Sequence, residues 1–141
     1  MPFKTIAEIA GSAMTAQTTR LNTIASNLAN AGTVAGSEAE AYRARKPVFA
    51  ALYNREAFSD EPIAGARVRV LDVVQSTEPV REAYEPDNPL ASEEGNVYYS
   101  NVNSVAEMTD MMSAARAFET NVEVLNRVKS MQAALLRMGE R

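Results

Sequence analysis

The sequence predicts a mainly α-helical protein with a small β module set between two long terminal helices. Three observations carry this. Apolar residues near the N-terminus recur at steps of three and four. The same holds over the last third of the chain, where Pro and Gly are absent from residue 102 to residue 138. Between them lies a stretch that alternates apolar and polar residues and holds all the prolines except Pro2. The helices are expected to pair as a coiled-coil-like hairpin, giving three parts: an assembly helix over 1–32, a β-rich module with a loop arm over 33–101, and a second assembly helix over 102–141.

In the first helix, Thr5-x-x-Glu8 reads as a capping box, which places the start near Thr5. Ala7, Ala10, Met14, Gln17, Leu21, Ile24 and Leu28 then form a heptad seam with one polar member. Asn30 and Gly32 mark the end, Gly32 as a left-handed cap. About 26 residues give a rod of about 39 Å. The face carrying Thr15, Thr18, Thr19, Asn22, Thr23, Ser26 and Asn27 is almost uncharged. Water-facing helices usually carry Glu and Lys, so burial of this face against its own bundle or against other subunits is expected.

The middle begins with Arg43, Arg45 and Lys46, read as a solvated strand start. Residues 43–54 and 67–74 read as strands, with Pro62 and Gly65 in the turn between them. From Tyr84 to Asn103 the chain is rich in turn residues, and Pro86 and Pro89 forbid a regular helix there.

The last helix is expected to start at Ser104, with Ser104-x-x-Glu107 as its capping box. About 35 residues give about 52 Å. One seam runs Ala114, Ala117, Asn121, Val124, Val128, Met131, Leu135, Met138. A neighbouring one runs Met108, Met111, Ala115, Phe118, Val122, Leu125. Two adjacent seams suit one partner within the molecule and another outside it. The methionines fit an adaptable groove, but at helical spacing simple core is the default.

Composition narrows the chemistry. The 141 residues include no Cys, His or Trp. That removes thiolate catalysis, imidazole acid–base chemistry, and the usual zinc and haem ligands. No phosphate loop or calcium-loop spacing occurs, and nothing singles out a carboxylate pair among the surface acids. A catalytic site, a metal, a cofactor and a small-molecule ligand are therefore not expected. The net charge of −4 argues against a nucleic-acid partner. By segment, residues 1–30 carry +1, residues 31–101 carry −5 and residues 102–141 carry zero. No stretch is long and apolar enough for a membrane helix, and the N-terminus lacks the apolar core of a cleaved signal.

Several stretches resemble the bacterial flagellar axial proteins. Ser12-Ala13-Met14-Thr15-Ala16-Gln17, Arg20-Leu21-Asn22 and Ala25-Ser26-Asn27-Leu28-Ala29-Asn30-Ala31 are similar to the N-terminal motif of rod and hook proteins. The resemblance to the proximal-rod branch is carried by Ala41-Tyr42-Arg43-Ala44 with Val48-Phe49, and by Tyr84 through Ala91 with Gly95-Asn96-Val97. The run from Asn101 to Met131 completes it. The chain departs from the pattern at Asn88, Asn96 and Ser100, where His, an aromatic and Pro are frequent.

The resemblance implies a non-enzymatic subunit of the basal-body rod, which crosses the periplasm and carries motor torque. Its expected partners are copies of itself, other flagellar rod proteins, the basal-body rod adaptor and the flagellar type III export apparatus, through which it would leave the cytoplasm without a cleaved signal. The assembly residues expected on the first helix are Ala10, Met14, Leu21, Ile24 and Leu28, with Asn22, Ser26, Asn27 and Asn30 as the axial motif. On the last helix they are Met108, Met111, Phe118, Val122, Leu125, Val128, Met131 and Leu135. The loop arm is marked by Tyr84, Pro86, Pro89 and Gly95. A soluble adaptor that dimerises as a coiled coil is the competing reading.

Overall fold

A computed structural model describes residues 2–53 and 65–139. Two long helices, α1 (Pro2–Ala29) and α2 (Ser104–Gly139), enclose five strands in sequence: β1 (Val34–Ala35), β2 (Arg45–Tyr53), β3 (Ala66–Gln75), β4 (Arg81–Tyr84) and β5 (Asn96–Tyr99). β2 and β3 form an antiparallel hairpin with a register shift between Val48 and Phe49. β1, β5 and β4 form a separate antiparallel sheet, with β5 in the centre. The strands expected over 43–54 and 67–74 are β2 and β3. Pro62, expected in their turn, lies outside the described residues. The three-stranded sheet has no counterpart in the sequence reading.

The helix ends differ from the capping patterns. α1 starts at Pro2, because proline suits a first turn whose N–H groups have no intrahelical partner. Thr5 is therefore already inside the helix, and Glu8 meets Lys4 at 4.0 Å and Arg67. At the other end the Asn30 side-chain amide donates to Ser26 O at 2.8 Å. Gly32 is not a left-handed cap: among the described residues only Gly95 has positive φ, at 81°. In α2 the cap is Asn103, one residue before the expected one. Its Oδ1 accepts the N–H groups of Val105 at 3.1 Å and Ala106 at 3.2 Å. Glu107 falls one position beyond the capping-box site and is buried.

α1 is the central element. α2 packs on α1 and on no other described element, while β2 and β3 both pack on α1 from another side. The helices are antiparallel, since α2 starts beside the end of α1 and Arg20 meets Asp110 at 3.3 Å. The hairpin lies along α1. Gly65 abuts Thr5 and Ile9 so closely that a Cβ there would lie 2.7 Å from Thr5 Cγ2. Further along, Ser12 Oγ accepts Val68 N–H at 3.1 Å and donates to Ile9 O at 2.8 Å. The polar face of α1 is thus partly used within the molecule.

The apolar core is thin. Among the described residues its buried members are Ala10, Ala16, Ile24, Ala41, Ala44, Val97, Ala114 and Val128, five of them alanines. Alanine lets backbones approach but removes little apolar area from water. The accessible surface is 10114 Å², against roughly 7,100 Å² for a compact monomer of 15.3 kDa by the surface–mass relation.

Candidate assembly surfaces and an asparagine clamp

The chain enters the hairpin at Ala44 and Arg45, and two asparagines grip that point. Asn27, 1% exposed, donates from Nδ2 to Arg45 O at 2.8 Å and accepts Arg45 N–H on Oδ1 at 2.9 Å. The Tyr42 hydroxyl also donates to Oδ1, at 3.0 Å, and lies 3.2 Å from Ser26 Oγ. Asn101 accepts Ala44 N–H at 2.7 Å and donates to Glu78 O at 2.9 Å. Ser76 N–H donates to Ala44 O at 2.7 Å. All four backbone polar groups of Ala44 and Arg45 are therefore satisfied, which buried backbone requires. An amide side chain presents an N–H beside a C=O as a backbone does, so Asn27 pairs with Arg45 as a residue of a neighbouring strand would. Of the axial-motif residues, Asn27, Ser26 and Asn30 are thus engaged inside the chain, and Asn22 is exposed.

The seam residues divide. On α1, Ala10 and Ile24 are buried, and Met14, Leu21 and Leu28 are half-buried. Gln17 Oε1 is buried without a hydrogen-bond partner. On α2, Glu107, Ala114 and Val128 are buried, and Met111, Phe118, Asn121 and Leu125 are half-buried. These seven alternate at steps of four and three, so the face toward α1 straddles the two expected seams. Val122 is half-buried beside it, whereas Met108, Met131 and Leu135 are exposed. From Lys129 to Gly139 every residue of α2 is exposed. Counting 18 residues outward from the Arg20–Asp110 contact brings α1 to Pro2 and α2 to Val128, where burial ceases.

In the loop arm Tyr84, Pro86 and Pro89 are exposed. Gly95 is required by its positive φ and because a Cβ would lie 2.8 Å from the Tyr84 ring. Between them Glu85 accepts from Asn88 Nδ2 at 3.0 Å and the Tyr99 hydroxyl at 2.7 Å. These hydrogen bonds, Asn88 first, hold the Glu85 carboxyl below its ordinary range, with help from the Arg81 charge. Glu85 in turn raises the Tyr99 phenol above its ordinary value. Arg81 stacks over the Tyr99 ring at 4.5 Å. The three departures from the family pattern all make local bonds: Asn88 to Glu85, Asn96 Nδ2 to Glu82 at 2.7 Å, and Ser100 Oγ to Val102 N–H at 3.1 Å.

Charge divides the middle of the chain in two. The hairpin strands carry Arg45, Lys46, Arg67 and Arg69 against Asp72. The three-stranded sheet with its connections, residues 34–44 and 76–103, carries eight acidic residues against Arg43 and Arg81. Arg43 is tied to Glu38 at 2.9 Å and Arg45 lies 5.7 Å from the Tyr42 ring centre, so the basic cluster at the start of β2 is only partly free in water. Among the described residues no group of three acidic, His or Cys side chains could hold a metal ion, and no helix is long and apolar enough to cross a membrane.

Comparison with known proteins places both helical regions. Residues 8–35 match a family described as flagella basal body rod protein. Residues 93–138 match one described as flagellar basal body rod FlgEFG protein C-terminal. Across 140 residues the chain is 46% identical to the flagellar basal-body rod protein FlgC of Escherichia coli O6:H1, covering 99% of this chain and all of the relative. It is 44% identical to the FlgC of Salmonella typhimurium over the same coverage. To that of Borreliella burgdorferi it is 34% identical over 134 residues, 87% of this chain and 88% of the relative.

Proposed function

The chain belongs to the FlgC family of flagellar basal-body rod proteins, a structural and non-enzymatic subunit of the rod, and we propose that it forms the proximal part of the drive shaft that carries motor torque. In this reading residues 1–32 and 102–141 are the polymerising helices and 33–101 is the module that spaces them from their neighbours. The helices pack with coiled-coil geometry, as their alternating steps of three and four favour, and line the inner wall of a tube crossing the periplasm. The partners are further rod proteins, the rod adaptor and the flagellar export apparatus, which passes the chain without a cleaved signal. This assignment leaves no place for the cytosolic adaptor dimer.

The observation that supports the reading most is the mismatch between surface and core. A chain with about two-fifths more surface than a compact monomer, a core built mostly of alanine, and exposed Met108, Met112, Met131, Leu135, Leu136 and Met138 on one helix finds its missing burial in contacts with other subunits. Such contacts are heterologous and open-ended, as a shaft requires.

A strain deleted for this chain provides the test. It is expected to be non-motile, with basal bodies that lack hook and filament, and to recover when the chain is supplied in trans. Motile deletion cells with complete basal bodies would contradict the reading.

A further inference from the structure

The β2–β3 hairpin is held on α1 without an apolar core of its own. None of the residues of β2 or β3 is buried. Midway along, a cleft of about 390 Å³ lies between Ser12, Thr15 and Thr19 on α1 and Val68 and Val70 on β3. What joins the two elements is polar. At one end of the cleft Ser12 Oγ accepts Val68 N–H at 3.1 Å. Beyond its other end Asn27 pairs with both backbone groups of Arg45. Glu8 and Arg67 add an exposed ion pair, of a kind that contributes little in water. The two polar contacts match in span. Ser12 and Asn27 stand 15 residues apart, about 22 Å along a helix. On the hairpin Val68 pairs with Ala51, six residues from Arg45 along β2, about 20 Å. Along β3, which carries the extra residue, Val68 is seven residues from Gln75, the partner of Arg45, about 23 Å.

We propose that Ser12 and Asn27 are positioning residues that fix the height of the hairpin along α1, with Asn27 selecting the register. Ser12 alone does not choose one. Thr15 and Thr19 donate to carbonyls of their own helix and keep acceptor lone pairs. Val70 N–H lies on the same strand edge as Val68 N–H, because strand groups alternate. A hairpin displaced by two residues, about 6.6 Å, against one helical turn of about 5.4 Å therefore meets hydroxyl acceptors again. Asn27 breaks the repeat, since it takes the N–H and the C=O of one residue together. The uncharged face of α1 is then the seat of the chain's own middle module, and Asn27 of the axial motif sets where that module stands. The inference goes beyond the rod assignment and does not depend on it.

The absence of native cysteine allows two spin labels to measure that height. Lys4→Cys on α1 and Lys46→Cys on β2 are both exposed, and a sliding hairpin changes the distance between them. Double electron–electron resonance is recorded on the purified full-length chain, at high salt to screen the Glu8–Arg67 pair, with helix content followed by circular dichroism. The labelled parent should give one distance, and Ser12→Ala the same one. Asn27→Ala should add a second population displaced by about 5–7 Å, one step of the repeat. Asn27→Asp has the same shape but turns an acceptor toward Arg45 O, and should show that second population too. Ile24→Ala, at a buried position of the heptad seam, should keep the single distance. A parent distance retained in both Asn27 variants, or an equal displacement in Ile24→Ala, overturns the proposal. Loss of helix in both Asn27 variants overturns it as well, because Asn27 then serves the fold and not the register.

Discussion

Asn27 shows how much one side chain can carry. Its amide, itself buried, supplies both partners of the Arg45 backbone and one for Tyr42. Replacement by Ala leaves the N–H and C=O of Arg45 unpaired and the Tyr42 hydroxyl with Ser26 alone, at about 1–3 kcal/mol for each group that water cannot reach. Asn27→Ala is expected to lower unfolding free energy by about 2–4 kcal/mol in urea titration and to speed amide exchange at Arg45. The Glu85–Tyr99 pair predicts pH behaviour. Glu85 has a lowered pKa in the folded state, so its contribution is present above the ordinary carboxylate pKa and is lost as pH falls through the lowered value. Tyr99 is raised, so its contribution is present below the ordinary tyrosine pKa and is lost as pH rises through the raised value. NMR titration should show both shifts, with Asn88→Ala moving Glu85 upward and Glu85→Gln moving Tyr99 downward. Of these groups the sequence discloses little. Asn27 reads as one more member of an uncharged helix face, because nothing local shows that its partner is a backbone peptide 18 residues away.

The helices were legible because their signal is periodic and long. The heptad line from Ala7 to Leu28 is half-buried or buried throughout, and α2 is helical as far as Gly139, the last described residue. Their caps were less so: α1 begins at Pro2 rather than near Thr5, and α2 begins at the expected Ser104 but is capped by Asn103. The hairpin was legible in Arg67-Val-Arg-Val-Leu-Asp-Val-Val. The other sheet was not, since strands of two and four residues are too short to show alternation, and their pairing depends on turns centred on Asn88 and Gly95. Which α2 residues face α1 also escaped the sequence, because two adjacent seams offer several equivalent stripes. The observed face yields a contrast. Leu125→Asp puts a charge into the α1–α2 contact and is expected to cost about 2–4 kcal/mol and to abolish swimming; Leu28→Asp should behave alike. Leu136→Asp, in the exposed tail, should leave unfolding within about 0.5 kcal/mol and still impair swimming. Equal destabilisation by Leu125→Asp and Leu136→Asp would place the seam wrongly.

For the molecule as a whole, composition first excludes chemistry and then describes a building part. The −5 of residues 31–101 is not spread over the middle module: the hairpin beside α1 is basic and the sheet at the end is acidic. With a thin alanine core and long apolar helix faces left in water, the isolated chain is incomplete in the sense that its burial is finished by other subunits. Identity to FlgC relatives over nearly the full length and the geometry of two side-by-side helices lead to the same role. Electron cryomicroscopy of purified basal bodies tests that role most directly. The account predicts rod density in which helices of 28 and 36 residues lie antiparallel in the inner wall, with this chain's side chains resolved along them. A rod fully accounted for by other chains, with no density for this helical pair, would contradict it.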